Sequence, residues 1–149
     1  FASMNPGYKL LYLHTKGISR PKDCETRRTI ISWINYMLYC TVRQYERCLR
    51  LLDIYDTVGC NEMSRYTPEN PPHYSGNFWW ANSFFIKKLS LIDEISKPDS
   101  KAILTIRHNA EFWLFMINGR HMSLHNSNIN VYERHLHRYE EKNYINEKI

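Results

Sequence analysis

His73-Tyr74-Ser75-Gly76-Asn77-Phe78-Trp79-Trp80-Ala81 is the stretch on which the reading of the fold turns. Gly76 stands between two hydrogen-bonding side chains and directly before three consecutive aromatic residues. If the aromatics lie on a strand, its two-residue period sends Phe78 and Trp80 to one face and Trp79 to the other. One face then builds a core. The other is either a flat apolar platform open to a ligand or a second buried layer, and the pattern alone leaves both open.

Working outward, Lys9-Leu10-Leu11-Tyr12-Leu13 is a short apolar run closed by His14-Thr15-Lys16-Gly17, which reads as a buried strand opening into a loop that Pro21 prolongs. From Glu25 the period changes. Ile30, Trp33, Ile34, Met37 and Leu38 recur at helical spacing, and Tyr45, Cys48, Leu49 and Leu52 mark a second helix. Asp56 to Cys60 reads as a short strand, and residues 61–73, polar and carrying Pro68, Pro71 and Pro72, as a surface loop. Past the aromatics, a helix is expected over Asn82–Leu91, a turn over Ser96–Ser100 and a helix over Ala110–Ile117 with Gly119 as its stop. Beyond Arg120 the chain is polar and rich in His, Asn and Tyr, either a strand or a loosely packed tail. This succession of strands and helices predicts the α/β class, in which ligands collect where loops leave the C-terminal ends of strands.

At 149 residues the chain is one domain, 1–149, with a core expected over 8–118 and a polar C-terminal extension over 119–149. With 43% hydrophobic and 23% charged residues it has a globular composition. No apolar run approaches the roughly 20 residues of a membrane span. The net charge of +5 favours anionic partners, but no block of like charge is long enough for a nucleic-acid tail. Four cysteines, at 24, 40, 48 and 60, form no Cys-x-x-Cys pair, which argues against zinc ribbons and redox motifs. Cys40 and Cys48 are expected as buried thiols. Without a secretory signal a reducing, cytoplasmic location is expected. The chain opens Phe1-Ala2-Ser3-Met4 and is expected to belong to a longer protein.

Two stretches can carry chemistry. In His14-Thr15-Lys16-Gly17, the glycine allows close backbone approach and the lysine supplies a point charge, as diphosphate binding needs; a plain polar turn accounts for the same residues. In the stretch from His73, an open aromatic face would suit the C–H face of a sugar ring, with Ser75 and Asn77 reading hydroxyls. His121 and His125 could meet on a helix face as metal ligands, and His135 and His137 on a strand face, but surface histidines explain both pairs better. Lys87-Lys88 and Arg27-Arg28 read as solvated helix faces.

Taken in order, Leu11-Tyr12-Leu13-His14-Thr15-Lys16-Gly17, Trp33, Tyr36-Met37, Tyr55-Asp56-Thr57-Val58-Gly59, His73 to Ala81, Arg107 and Ala110-Glu111-Phe112-Trp113 resemble a glycosyltransferase family of bacteria and large DNA viruses, over roughly residues 8–116. The resemblance implies a GT-A-like, Rossmann-like mixed sheet flanked by helices, using a nucleotide-sugar donor and a glycan or other hydroxyl acceptor. It places His14, Thr15, Lys16 and Gly17 at the donor diphosphate. His73, Ser75, Gly76, Asn77, Trp79 and Trp80 fall at the acceptor, with Glu111 as general base and Asp56 as the alternative. Such enzymes commonly hold Mn or Mg through Asp-x-Asp. This chain has no Asp-x-Asp: Asp53-x-x-Asp56 is misspaced and Asp93-Glu94 falls in helix or turn, so no metal ligand is assigned. The N-terminal nucleotide-binding part of the fold is expected to precede Phe1. The competing readings are a non-catalytic carbohydrate-binding or interaction module and, on charge and aromatic content, a basic nucleic-acid binder or nuclease. No recognised nuclease or RNA-binding spacing supports the last, and no nucleic-acid partner is expected.

Overall fold

The computed structural model describes residues 6–15, 24–63, 71–90, 110–127, 129 and 137–145. Their elements are β1 (Lys9–Tyr12), α1 (Cys24–Leu38), a π-helical turn (Tyr39–Arg43), α2 (Tyr45–Leu51), β2 (Thr57–Gly59), β3 (Glu62–Met63), β4 (His73–Tyr74), β5 (Trp79–Asn82), α3 (Ser83–Ile86), a 3-10 turn (Trp113–Phe115), β6 (His121–Ser123) and a second 3-10 turn (Glu141–Asn143). The chain is therefore mixed α/β. Its main sheet has the order β1-β5-β2-β6, and β3 pairs with β4 as a separate ribbon. β5 runs antiparallel to both β1 and β2, while β2 and β6 are parallel.

The alternation expected in the aromatic stretch holds, and it separates two cores. Phe78 and Trp80 turn to the face that carries Val58 and Met122, where Trp33, Tyr36, Met37, Cys40, Cys48 and Leu52 pack from the helical side. Trp79 and Ala81 turn to the opposite face with Tyr74, Phe85, Leu89 and Leu114. Both faces are covered. Trp79 is only 6% exposed, its ring stacked on Tyr12 at 4.9 Å, so the open platform does not hold for this residue. Enclosing a side chain of that size stabilises by about 2–3 kcal/mol, enough to favour covering it once a partner segment is at hand.

On α1 the buried positions are Thr29, Trp33, Tyr36 and Met37, while Ile30, Ile34 and Leu38 are half-buried; the inner face is rotated from the expected stripe toward Tyr36. On α2, Cys48 and the following Leu52 are buried, but Tyr45 is exposed. The π-helical turn between the helices has a use: the Thr41 carbonyl accepts the Trp80 indole N–H at 2.7 Å, tying the helical layer to the sheet. At the end of α2, the Asn82 amide donates to the Leu52 and Tyr55 carbonyls at 2.9 and 3.0 Å, satisfying acceptors a helix terminus leaves open. Cys40, Cys48 and Cys60 are buried free thiols. Burial pushes the Cys48 thiol up to about 12.

Four expectations need correction. Residues 61–73 are not simply a surface loop: Asn61 and His73 are buried and Glu62–Met63 pairs with His73–Tyr74, while 64–70 lie outside the described residues. The helix expected from Asn82 is confined to Ser83–Ile86 before a turn; Leu91 and the turn at 96–100 are outside the described residues. Within 110–117, Ala110, Glu111 and Phe112 are α-helical and the chain then tightens to 3-10 over Trp113–Phe115, so the α-helix does not run on to Ile117. The core does not close at 118. His121–Ser123 completes the sheet, and Tyr139 and Tyr144 enter the helical-side core at 5% and 6% exposure.

A buried hydrogen-bonded knot pins β2, β4 and β6 together. The Thr57 hydroxyl lies 2.9 Å from Tyr74 Oη and 2.7 Å from His121 Nδ1, and Tyr74 Oη bridges the Met122 N–H and carbonyl at 3.1 Å. Tyr74 fits there because Gly59 has no side chain: a Cβ on it would lie 2.6 Å from the Tyr74 ring. His121 stacks on Phe115 at 4.0 Å, and burial lowers its pKa, against a smaller raising effect of Asp56. A base whose folded pKa is depressed binds fewer protons than in the unfolded chain, so this contribution is complete above the ordinary value of about 6.5 and is lost as pH falls through the folded value. Urea midpoints are expected to drop below about pH 6.5, and His121→Asn, which keeps an acceptor for Thr57, is expected to flatten that drop. Parallel declines in the two proteins would exclude His121 as its source.

Candidate functional site

Because β1, β2 and β6 run one way and β5 the other, the C-terminal ends of three strands share an edge with the start of β5. That edge gathers His14-Thr15 from β1, Cys60-Asn61 from β2, Leu124-His125 from β6 and the turn 74–77 ahead of β5. Loops leaving strand C-termini are the common place for a ligand in α/β folds.

The turn is tightly specified. The Asn77 N–H donates to the Tyr74 carbonyl at 2.9 Å, and Gly76, the third residue, has φ 97°, as in a type II turn. Asn77 continues in the left-handed region at φ 59°, which Asn tolerates better than most side chains. Its amide is engaged on both sides, Oδ1 accepting the Trp79 indole N–H at 2.7 Å and Nδ2 facing the Ala110 carbonyl at 3.4 Å. The Ser75 N–H donates to the Asn61 carbonyl at 2.9 Å.

The sequence blocks singled out above converge on this turn. His14 Nε2 lies 3.1 Å from the Gly76 carbonyl, and the His14 ring meets Phe78 edge-on at 5.5 Å. Phe112 packs edge-on against His73 at 5.0 Å, and His73 Nδ1 faces the Pro71 carbonyl at 2.8 Å. Glu111 therefore sits on helical backbone seated against the 74–77 turn. His73, Ser75, Asn77 and Trp79 are buried and Trp80 is half-buried, so these residues build the turn, while His14, Thr15 and Glu111 reach the surface. Lys16, Gly17 and Arg107 lie outside the described residues, as do Asp93-Glu94.

No protein-family model, curated protein or solved structure matches the chain. The site therefore stands on its own geometry.

Asp56 does not join it. It precedes β2, at the opposite end of the sheet, where its carboxylate accepts the Arg120 N–H at 2.8 Å and its carbonyl accepts the Asn82 N–H at 3.0 Å. His121 and His125 do not form a pair: one is bound to Thr57, the other to Tyr36 at 2.9 Å. His135 is outside the described residues. Among the described residues no group of three His, Cys, Asp or Glu side chains could hold a metal ion.

A second feature at the same edge escaped the sequence reading. Asn61, left-handed at φ 51°, sends its amide into a cluster with Tyr36, Ser127 and Tyr139. The signal was weak: an Asn after Gly59-Cys60 can mark a left-handed turn, and Tyr36 lay in one of the blocks on which the resemblance rested.

Proposed function

We propose that the chain is a glycosyltransferase-type domain that transfers a sugar from a nucleotide-sugar donor to a hydroxyl acceptor. One observation carries the reading: His14, Gly76 and Ala110-Glu111, far apart in sequence and each within a block of the family resemblance, meet at the strand C-terminal edge. In this reading the loop end at His14 and Thr15 lies at the donor diphosphate, where the resemblance also assigns Lys16 and Gly17, and Glu111 faces the acceptor. The acceptor oxygen bonds to the anomeric carbon as the bond to the diphosphate oxygen breaks. The acceptor proton passes to the Glu111 carboxylate, and the departing charge is met by hydrogen-bond donors on the His14 loop. The 74–77 turn acts as the frame holding both loops rather than as the acceptor surface.

The test is a panel of nucleotide sugars, followed by saturation-transfer NMR for binding and by release of nucleoside diphosphate for turnover. Binding of at least one donor, competed by the matching nucleoside diphosphate, is the expected result. If glycans bind but no donor does, the domain is a carbohydrate-binding module. If only short DNA or RNA binds, with affinity falling steeply in salt, the basic nucleic-acid reading replaces it.

A further inference from the structure

We infer that the cavity between α1, the segment after β6 and the 3-10 turn Glu141–Asn143 is a binding pocket for a neutral, hydroxyl-rich ring. The cavity measures about 540 Å³, within the range of roughly 300–1,000 Å³ typical of small-molecule sites. It opens beside Asn61, at the C-terminal ends of the parallel pair β2 and β6.

Its walls are held in place by buried hydrogen bonds. Asn61 Oδ1 accepts the Ser127 N–H at 2.7 Å and the Tyr36 hydroxyl at 3.2 Å, and its Nδ2 donates to the Tyr139 hydroxyl at 3.3 Å. The Tyr36 ring stacks on Tyr139 at 4.9 Å and meets Tyr144 edge-on at 5.1 Å. A pocket so braced has little to lose in ordering when a ligand enters.

The chemistry of the lining selects the ligand. The Tyr139 and Tyr144 rings and the exposed Asn126 and Asn143 side chains belong to the lining. Asn126 and Asn143 add amides, and the Glu140 carboxylate can accept from two adjacent hydroxyls. Tyrosine rings and Ile129 supply apolar wall for C–H groups. Among the described residues neither Lys nor Arg belongs to this lining; Lys142, paired with Glu140 at 2.6 Å, stands outside it. Among the described residues a phosphate would therefore meet the Glu140 carboxylate and no lining Lys or Arg. A glycan pyranose and the ribose of a nucleoside share the chemistry that fits.

The same full chain can be titrated by saturation-transfer NMR with methyl glucoside, methyl galactoside, methyl mannoside, N-acetylglucosamine, uridine and adenosine, with inorganic phosphate as the anionic control. At least one neutral probe is expected to bind, and whether pyranosides or nucleosides do so identifies the source. Glu140→Ala, which removes the carboxylate offered to the hydroxyls, is expected to weaken that probe about 3- to 10-fold. Asn143→Trp, at an exposed turn on the cavity wall, is expected to abolish binding without touching the buried core. The inference is overturned if no neutral probe binds, if phosphate binds more tightly than every neutral probe, or if both variants bind as the parent does. Donor binding measured in the same samples reports separately on the transferase reading, on which this pocket does not depend.

Discussion

Gly76→Ala is expected to destabilise the protein by about 2–6 kcal/mol, read as a fall in the urea midpoint. Two costs add. The residue sits at φ 97°, where a side chain brings strain of about 1–3 kcal/mol, and the new Cβ would lie 2.2 Å from Met37 Sδ and 2.9 Å from Trp33 Cζ2. Met37 is fully buried, so its side chain has nowhere to swing, and overpacking of this kind costs about 1–3 kcal/mol more. Combining the change with Met37→Ala separates the two, since the smaller side chain relieves the clash but leaves the backbone strain. A midpoint for Gly76→Ala equal to the parent's would mean that the turn is not wedged against α1. The Gly76 carbonyl lies 3.1 Å from the His14 ring, so any surviving fold is also expected to lose donor binding.

Glu111→Gln is expected to lower glycosyl transfer about 10²- to 10⁴-fold while leaving the thermal midpoint close to the parent's. The substitution keeps the shape of a half-buried side chain and removes its capacity to take a proton at neutral pH. Asp56→Asn is the control. Its carboxylate accepts the Arg120 N–H at the far end of the sheet, so its loss is expected to cost stability and not the chemical step. Undiminished turnover in Glu111→Gln would remove Glu111 as the base, and a collapse in Asp56→Asn at unchanged stability would transfer the role there.

The first helix shows how far pattern reading reaches. Apolar spacing placed a helix after Glu25 and the structure has it over Cys24–Leu38, yet the side facing inward is decided by Tyr36, whose hydroxyl is polar and whose partners Asn61 and His125 lie 25 and 89 residues away. An amphipathic count scores such a residue by polarity and misses it. β3 and β4 were illegible for a related reason: two-residue strands carry no period, and their pairing across 64–70 is a tertiary event. For the candidate site, His14, Gly76, Asn77 and Glu111 were named from the sequence, whereas Asn61, Ser127 and Tyr139 were not. Their segment is polar, and polar residues mark a core only when every donor and acceptor finds a partner, which no local pattern records.

The stretch from His73 to Ala81 divides the two contributions. By itself it determined a strand with Phe78 and Trp80 on one side and Trp79 on the other, because side chains alternate along an extended backbone whatever surrounds it. The turn at Gly76, with its positive φ, came from the structure, where only a residue without Cβ fits against Met37 and Trp33. Only the tertiary structure decided that the Trp79 side is covered, by Tyr12 stacked on the indole and by Phe85, Leu89 and Leu114 arriving from later in the chain. It alone placed the open, polar cavity one loop away, beside Asn61. Whether an apolar face is a platform or a core depends on what distant segments lay over it, and burial is a property of the assembled fold rather than of the residues buried.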